Sequence, residues 1–309
     1  MRISTKSYMD LLHQSVQTAE DRLGILTQQI ASGKRIQRPS DDPVGAGQAL
    51  RAHAALEKSL SDQSTLEQAV TLNNALDSAL GNMTSPLQTA LNAALSATQT
   101  GLGSTGLAAC ATEVRAAMEQ LVTCGNAEFN GIYLMAGTDN RQSPLSTTGN
   151  PADVVTYSGN EQAMQITISP GRVAPLTVTG QNLFNFANTA GDRPVSGVDE
   201  DVFQIMENLA AAIDAGDSEG IAEYREKLTA MQEHILQARG IVGAYGLRLE
   251  QSLTLAQDTE VQSRTVLSNV EDVDMTDAIL QSTEQKTYYQ AALAATAQIA
   301  QMPTLFDWL

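Results

Sequence analysis

Apolar residues recur in steps of four and three near the start of the chain. This is the spacing of a coiled-coil seam, in which successive apolar side chains of one helix face a partner helix. The pattern predicts a helix over residues 5–32, which ends at Gly33 and packs against another helix. The residues of the seam are Leu12, Val16, Ala19, Leu23, Leu26 and Ile30.

A polar connector separates this helix from the next one. The segment 33–43 reads GKRIQRPSDDP, and its two prolines and polar side chains predict irregular backbone. Asp42 directly before Pro43 is a favoured arrangement for the start of a helix. We therefore predict a second helix from Pro43 to about Gln99, and we expect Pro86 to kink it or to split it in two.

Four further helices are predicted from the same kind of periodicity. The first carries Cys110, Val114, Ala117, Leu121 and Cys124 on one face. The others cover about 199–214, a very long region that Asp217 or Ser218 caps and that reaches about Ser268, and about 272–301. Within the long region, apolar residues between Leu228 and Leu249 again follow steps of three and four, so it is predicted to form a second seam.

Between these helices the pattern changes to alternation of apolar and polar residues. In residues 164–169 and 176–179 the even positions are apolar, which is typical of half-buried strands, and Pro170-Gly171 divides the two runs. We predict a small β-rich insert over residues 138–195.

The predicted fold class is mainly α with a small β insert. The most economical arrangement is an elongated rod, in which the N- and C-terminal helices pair antiparallel and the β-rich part lies at the far tip. We divide the chain into a terminal helical domain (1–42 with 268–309), a helical bundle (43–137 with 199–267) and a β-rich outer domain (138–198). Residues 1–38 carry six basic and three acidic side chains and residues 261–309 carry two and six, so opposite charges favour pairing of the ends.

Composition and charge exclude several functions. A formal net charge of −17 disfavours binding to nucleic acids and to anionic membranes. Aromatic residues make up 4% of the chain, which argues against a cofactor pocket built from stacked rings. The chain has neither an apolar signal-peptide core nor an apolar run long enough for a membrane span, which alone would place it in the cytoplasm.

Residues that carry chemistry are scattered. The three histidines, His13, His53 and His234, stand far apart and belong to no metal-binding motif. Asp41 and Asp42 are adjacent carboxylates, but their place before a helix start favours capping over catalysis. The acidic stretch 271–277 is likewise interpreted as the first turn of a helix, since it lacks the glycine and final glutamate of a calcium loop. Catalytic, cofactor and metal sites are therefore not predicted.

Three segments resemble the flagellin superfamily. They are QQIASGKRIQRPSDDPVGAGQAL at 28–50, EFNGIYLMAGTD at 128–139 and the C-terminal residues 271–309. They occur in the family's order, bracket the β-rich insert, and extend the likeness over the chain outside 141–198. The PSDDP sequence, the opening MRIST and the short length resemble the hook-associated members of the family more than the filament flagellins.

The resemblance implies a structural adaptor between the hook and the filament of the bacterial flagellum. It implies export, unfolded and without a cleaved signal, through the flagellar type III apparatus, which would place the protein outside the cell after a transient cytoplasmic stage. The implied partners are the first hook-associated protein, flagellin, the filament cap protein during assembly, a cytoplasmic export chaperone and further copies of the chain in a ring.

The resemblance also implies functions for individual residues. The terminal helices, at about 3–32 and 270–301, are expected to form the inner tube. The expected assembly contacts are Leu12, Val16, Leu23, Leu26, Ile30, Val270, Val273, Ile279, Leu280, Leu293 and Ile299. The expected chaperone-binding residues are Val273, Ile279, Leu280, Tyr288 and Leu293. The connector motif consists of Gly33, Arg35, Pro39, Ser40, Asp41, Asp42 and Pro43.

Alternatives remain open at this point. A short filament flagellin belongs to the same class, whereas a generic helical binding module or a secreted enzyme would belong to another. Because a seam without a partner is unstable in water, we also expect both ends to be disordered in the free chain and to fold on assembly.

Overall fold

The computed structural model describes residues 5–99, 103–148, 154–169, 172–187, 192–195 and 197–300. This part of the chain is mostly helical. Its helices are α1 (Thr5–Ser32), α2 (Pro43–Ala97), α3 (Ser104–Gly125), α4 (Gly180–Leu183), α5 (Val202–Ala215), α6 (Ser218–Glu271) and α7 (Met275–Ala300). Its strands are β1 (Glu128–Phe129), β2 (Ile132–Tyr133), β3 (Leu145–Thr148), β4 (Val154–Tyr157), β5 (Gln165–Ser169) and β6 (Arg172–Pro175).

The long helices follow the predicted periodicity closely. The bounds of α1 are those predicted, and α2 and α6 begin at the predicted positions. The expected division of the second helix is wrong, because α2 continues through Pro86. Proline removes one backbone hydrogen bond from a helix, but Pro86 lies between the fully buried Met83 and Leu87, whose packing holds the helix in place.

Contacts divide the chain into two compact units. The first unit contains Met1–Ser61 with Gln257–Leu309, and the second contains Asp62–Ala256. Helices α2 and α6 contribute residues to both. In the first unit, α1 contacts α7.

The second unit holds the main hydrophobic core. Its fully buried side chains include Met135, Leu183 and Phe184, together with Leu76, Leu80, Met83 and Leu87 of α2, Val114 and Leu121 of α3, Ile205, Met206 and Leu209 of α5, and Leu228, Met231 and Ile235 of α6. This core includes members of the predicted apolar faces of α2, α3 and α6, whereas Leu249 of the α6 face lies in a separate small cluster with Leu66 and Ala69. Of the two cysteines, Cys110 is buried in this core and Cys124 is half-buried against it.

The described strands form three antiparallel pairs, β1–β2, β3–β4 and β5–β6. The predicted strand at 164–169 is confirmed as β5, but the second predicted strand is displaced: β6 covers Arg172–Pro175, and residues 176–179 lie outside it. The chain stays close to β5 beyond Pro175, because the Leu176 N–H donates to the Met164 carbonyl at 2.6 Å and the Thr177 hydroxyl accepts from the Met164 N–H at 3.0 Å. The turn at Pro170-Gly171 lies outside the described residues.

The β-rich part belongs to the second unit together with the helices. Residues 138–198, which we expected to form a separate outer domain, fall within Asp62–Ala256. Leu145 of β3 and Val155 of β4 are buried in the helical core, and Tyr157 packs against it. These apolar contacts join the β-rich insert to the helical bundle. The alternation of apolar and polar residues predicts that one face of a strand is buried, but it does not predict which element covers that face.

Candidate assembly surface

Helix α1 places its apolar seam against the other end of the chain. Ala19 is buried, and its carbonyl accepts a hydrogen bond from the Gln285 side chain of α7 at 3.4 Å. The remaining seam residues on that face, Leu12, Val16, Leu23, Leu26 and Ile30, are half-buried. The seam therefore has a partner inside the chain, contrary to the premise that it lacks one.

Helix α7 meets α1 through a face that apolar spacing did not predict. The residues with the least exposure are Ala278, Ser282, Gln285, Tyr289 and Ala292, again in steps of four and three. The set predicted from the resemblance lies differently: Val270 and Val273 are half-buried, whereas Ile279, Leu280 and Leu293 are exposed. The side chain of Ile299 lies outside the described residues.

The two helices thus leave apolar side chains on the outside of their pair. Ile279 is 51% exposed, Leu280 59% and Tyr288 66%, and on α1 the side chain of Ile25 is exposed as well. Two grooves of 440 and 350 Å³ run between the helices, and Arg22 and Gln285 line both of them. Clusters of exposed apolar side chains are common at protein–protein interaction sites.

The connector after α1 lies against the junction of α6 and α7. Gly33 has a left-handed φ of 71°, which turns the chain out of the helix. Its carbonyl accepts from the Val273 N–H at 3.0 Å, and the Arg35 N–H donates to the Glu271 carbonyl at 2.6 Å. Lys34 and Asp272 form an antiparallel bridge between these bonds.

Charged side chains reinforce this junction. Glu271 accepts from the Lys34 ammonium at 2.7 Å through one carboxylate oxygen, and its other oxygen lies 3.0 Å from Nε2 of His53. The Arg35 guanidinium donates to the Val270 carbonyl at 2.9 Å and lies 3.4 Å from the Asp42 carboxylate. Burial raises the pKa of Glu271, but the hydrogen bonds from Lys34 and His53 outweigh burial and leave that pKa below its usual value.

The adjacent carboxylates of the connector serve as hydrogen-bond acceptors for backbone N–H groups. Asp42 accepts from the Gly45 N–H at 2.9 Å and so caps α2, whose first residue is Pro43, as predicted. That bond also lowers the pKa of Asp42. Asp41 accepts instead from the N–H groups of Gln37 and Arg38, so it closes the connector loop and does not cap the helix. The motif's Pro39 and Ser40 are exposed in that loop.

The acidic stretch 271–277 also starts a helix. The Asp274 carboxylate accepts from the Thr276 and Asp277 N–H groups at 2.9 and 3.1 Å, directly before and within the first turn of α7. The expectation that this stretch forms a helical first turn is confirmed at Asp274.

Both halves of this surface match one protein family. Residues 3–140 match the bacterial flagellin N-terminal helical region, and residues 226–309 match the bacterial flagellin C-terminal helical region. The chain belongs to the bacterial flagellin family. Helices α1 and α7, the connector and the α6–α7 junction all lie within the matched flagellin regions.

Relatives named hook-associated proteins match nearly the whole chain. The flagellar hook-associated protein 3 of Salmonella typhimurium is 25% identical over 94% of this chain and 95% of its own length. The protein of the same name from Escherichia coli is 23% identical over 96% of both. A solved structure of a putative flagellar hook-associated protein from Vibrio parahaemolyticus superposes with a TM-score of 0.65, at 15% identity, over 75% of this chain and 100% of that one, so it shares the fold.

The second flagellin-like segment forms a tight hairpin. Within residues 128–139, strands β1 and β2 are joined by Asn130 and Gly131, whose φ angles are 51° and 80°. Both positive angles belong to the two-residue turn that Asn-Gly favours. This hairpin was not predicted, since it lies before the start predicted for the β-rich insert; the Asn-Gly pair is the sequence signal that could have indicated it.

Other kinds of site are not found among the described residues of this chain. In that part of the chain, no three His, Cys, Asp or Glu side chains are grouped so as to hold a metal ion. Nor does any helix there combine the length and apolarity that crossing a membrane requires.

Proposed function

We propose that this chain is the adaptor that joins the flagellar hook to the flagellin filament and that copies of it form a ring there. In this function it is a structural protein and not an enzyme. The first hook-associated protein contacts one side of the ring and flagellin the other, while the filament cap protein rests on it during assembly. Residues 138–198 face outward.

One observation carries the proposal: the paired terminal helices expose apolar side chains on the outside of the pair. Ile279 and Leu280 of α7 point away from the face that contains Ala278 and Gln285. A chain with a net charge of −17 needs buried apolar area to associate with copies of itself. The full-length relatives named hook-associated protein 3 support the hook–filament junction over a filament flagellin.

The same face suits a chaperone before export. Of the residues expected to bind the chaperone, Ile279, Leu280, Tyr288 and Leu293 are exposed, whereas Val273 is half-buried and its N–H is bonded to Gly33. A groove-forming partner would cover the four exposed side chains and prevent early self-association in the cytoplasm. Export through the flagellar type III apparatus then releases them for assembly.

The test is a deletion of the gene in the bacterium that carries it. The proposal expects complete hooks without filaments and flagellin released into the medium, with both defects reversed by the intact gene. An antibody against this chain should label a single band between hook and filament. Label along the whole filament, or normal filaments on the deletion strain, would contradict the proposal.

A further inference from the structure

The outer face of α2 in the second unit carries very little charge. Between Gln68 and Gln99 the one charged residue is Asp77. Its carboxylate is paired with the Arg239 guanidinium of α6 at 2.9 and 3.2 Å. The exposed side chains of this stretch include Asn74, Ser78, Asn82, Ser85 and Asn92.

Helix α6 continues this face beside α2. The two helices are neighbours here, because Arg239 pairs with Asp77 and the Gln232 side chain donates to that of Gln88 at 3.3 Å. Between Glu233 and Arg248 the one Lys, Arg, Asp or Glu is Arg239, which Asp77 neutralises. We call this combined surface, α2 from Asn74 to Leu95 with α6 from Leu236 to Leu247, the neutral face.

The α6 side of the neutral face consists of apolar side chains and of glycines, which leave the helix backbone uncovered. Leu236 is 48% exposed and Leu247 63%. Between them, Gly240 and Gly243 share their side of the helix, and a methyl group added to either would meet nothing within 4 Å. Glycine weakens a helix interior, and no contact with the described residues requires it at these two positions. At Gly246 the situation differs, since an added methyl would meet the Asn73 side chain.

We infer that the neutral face is one side of the lateral contact between one copy of this chain and the next, since copies in a ring meet through two different surfaces. The inference deepens the proposed function and rests on it, because a ring requires copies side by side. Copies with a net charge of −17 repel one another, so they approach with least repulsion where the surface is neutral. A positively charged partner would instead bind to acidic parts of the protein surface and not to the neutral face.

The size of the neutral face fits a contact that is stable only within a closed ring. It is about 32 Å long on α2 and about 17 Å long on α6, from 1.5 Å per residue. With about 9 Å of width for each helix, it offers roughly 440 Å². That is below the approximately 800 Å² per partner of a standard stable interface. An isolated pair of copies is therefore weak, and the free chain stays a monomer until many contacts form together.

Photo-crosslinking in the complemented deletion strain tests this inference. The crosslinking amino acid replaces Ser78 of the neutral face or, as a control, Thr112 of α3; both hydroxyls are exposed and bonded to the carbonyl four residues earlier. Position 78 should give covalent dimers of this chain on intact flagella and position 112 should not. A complementing variant that gives no dimer at 78, or that crosslinks there to another protein, overturns the inference.

Substitutions give a second, independent readout. Ser78→Asp should reduce incorporation at the hook end by about tenfold or more, through charge repulsion between copies, while Thr112→Asp leaves it unchanged. Gly243→Ala should raise Tm of the monomer yet reduce incorporation, whereas Gly246→Ala should lower Tm through Asn73. Normal incorporation of Ser78→Asp would contradict the inference that the neutral face is a contact between copies. Failure of the intact gene to restore filaments would instead contradict the proposed function.

Discussion

Glu271 and Lys34 form an ion pair of 2.7 Å that joins the last residue of α6 to the connector after α1. Only 12% of the Glu271 side chain is exposed, and His53 occupies its second oxygen. The pair lies next to the backbone bonds that hold Gly33 and Arg35 against the α6–α7 junction. It therefore fixes the point at which the two terminal segments meet.

Replacement of Glu271 should loosen this junction. Glu271→Gln removes the charge but keeps the size, and we expect the free energy of unfolding of the first unit to fall by about 1 kcal/mol, the upper end for partly exposed pairs. Urea denaturation of the purified chain measures it. Glu57→Gln, at an exposed position of α2 in the same unit, is the matched control and should stay within about 0.5 kcal/mol of wild type. Equal losses in both variants would contradict a specific contribution of Glu271.

The contribution of Glu271 should depend on pH with a definite sign. Its pKa in the folded chain lies below the usual 4.5. A carboxylate with a lowered pKa stabilises the fold above its unfolded-state pKa and loses this effect as the pH falls through the folded value. The difference in unfolding free energy between wild type and Glu271→Gln should therefore be present near neutral pH and shrink below about pH 4.5. A difference that grows on acidification would show that the sign is wrong.

Removal of the α2 cap should act through hydrogen bonding and not through charge. Asp42→Ala deletes the acceptor of the Gly45 N–H and should lower Tm, whereas Asp42→Asn keeps an acceptor at the cap position and should lower it less. Asp41→Ala tests the connector loop independently of the helix start, because the Asp41 carboxylate accepts from the backbone N–H groups of Gln37 and Arg38 in that loop. Its effect should appear in proteolysis of residues 35–42 before it appears in helix content by circular dichroism.

The helices were the part of this fold that the sequence predicted best. Steps of three and four place the apolar residues that begin at Leu12 in α1, at Leu76 in α2 and at Leu228 in α6 on one face of each helix. Local spacing alone is enough to predict these faces. Which helix packs against each face depends on contacts between residues far apart in the sequence, so local spacing does not predict it. The face of α7 that packs against α1 was not predicted, because it includes Ser282 and Gln285. These residues are small or polar, so the face does not have the pattern of an apolar seam.

The β-rich part shows a different limit. Alternation continues through Leu176 and Val178, yet the paired strand ends at Pro175. A period of two marks which side chains share a face, but it does not say where hydrogen-bonded pairing begins or stops. The contacts of Glu271 could not be predicted from local patterns either, since Lys34 is 237 residues away in sequence.

The outer face of α7 should be needed for assembly and not for folding. Ile279→Ser with Leu280→Ser changes two exposed side chains, so the free energy of unfolding should stay within about 0.5 kcal/mol of wild type. Filament assembly should fail, and a complex with the export chaperone, measured by calorimetry on the purified partners, should weaken. Ala278→Leu is the opposite control: Ala278 is buried in α7, so overpacking should lower stability. Normal filaments and normal chaperone binding in the double variant would contradict the assignment of this face.

Pairing between α1 and α7 should be weak in the free chain. The α7 side of the pair offers Ala278, Ser282 and Gln285, which bury little apolar area, and a helix pair of this kind is marginal in water. We therefore expect fast amide exchange across residues 5–30 of the monomer and strong protection of α2 around Leu76–Leu87, whose side chains are fully buried. Assembly should then slow exchange across 5–30, because neighbouring copies cover the exposed side chains. Strong protection of 5–30 in the monomer would mean that the terminal helices fold before assembly.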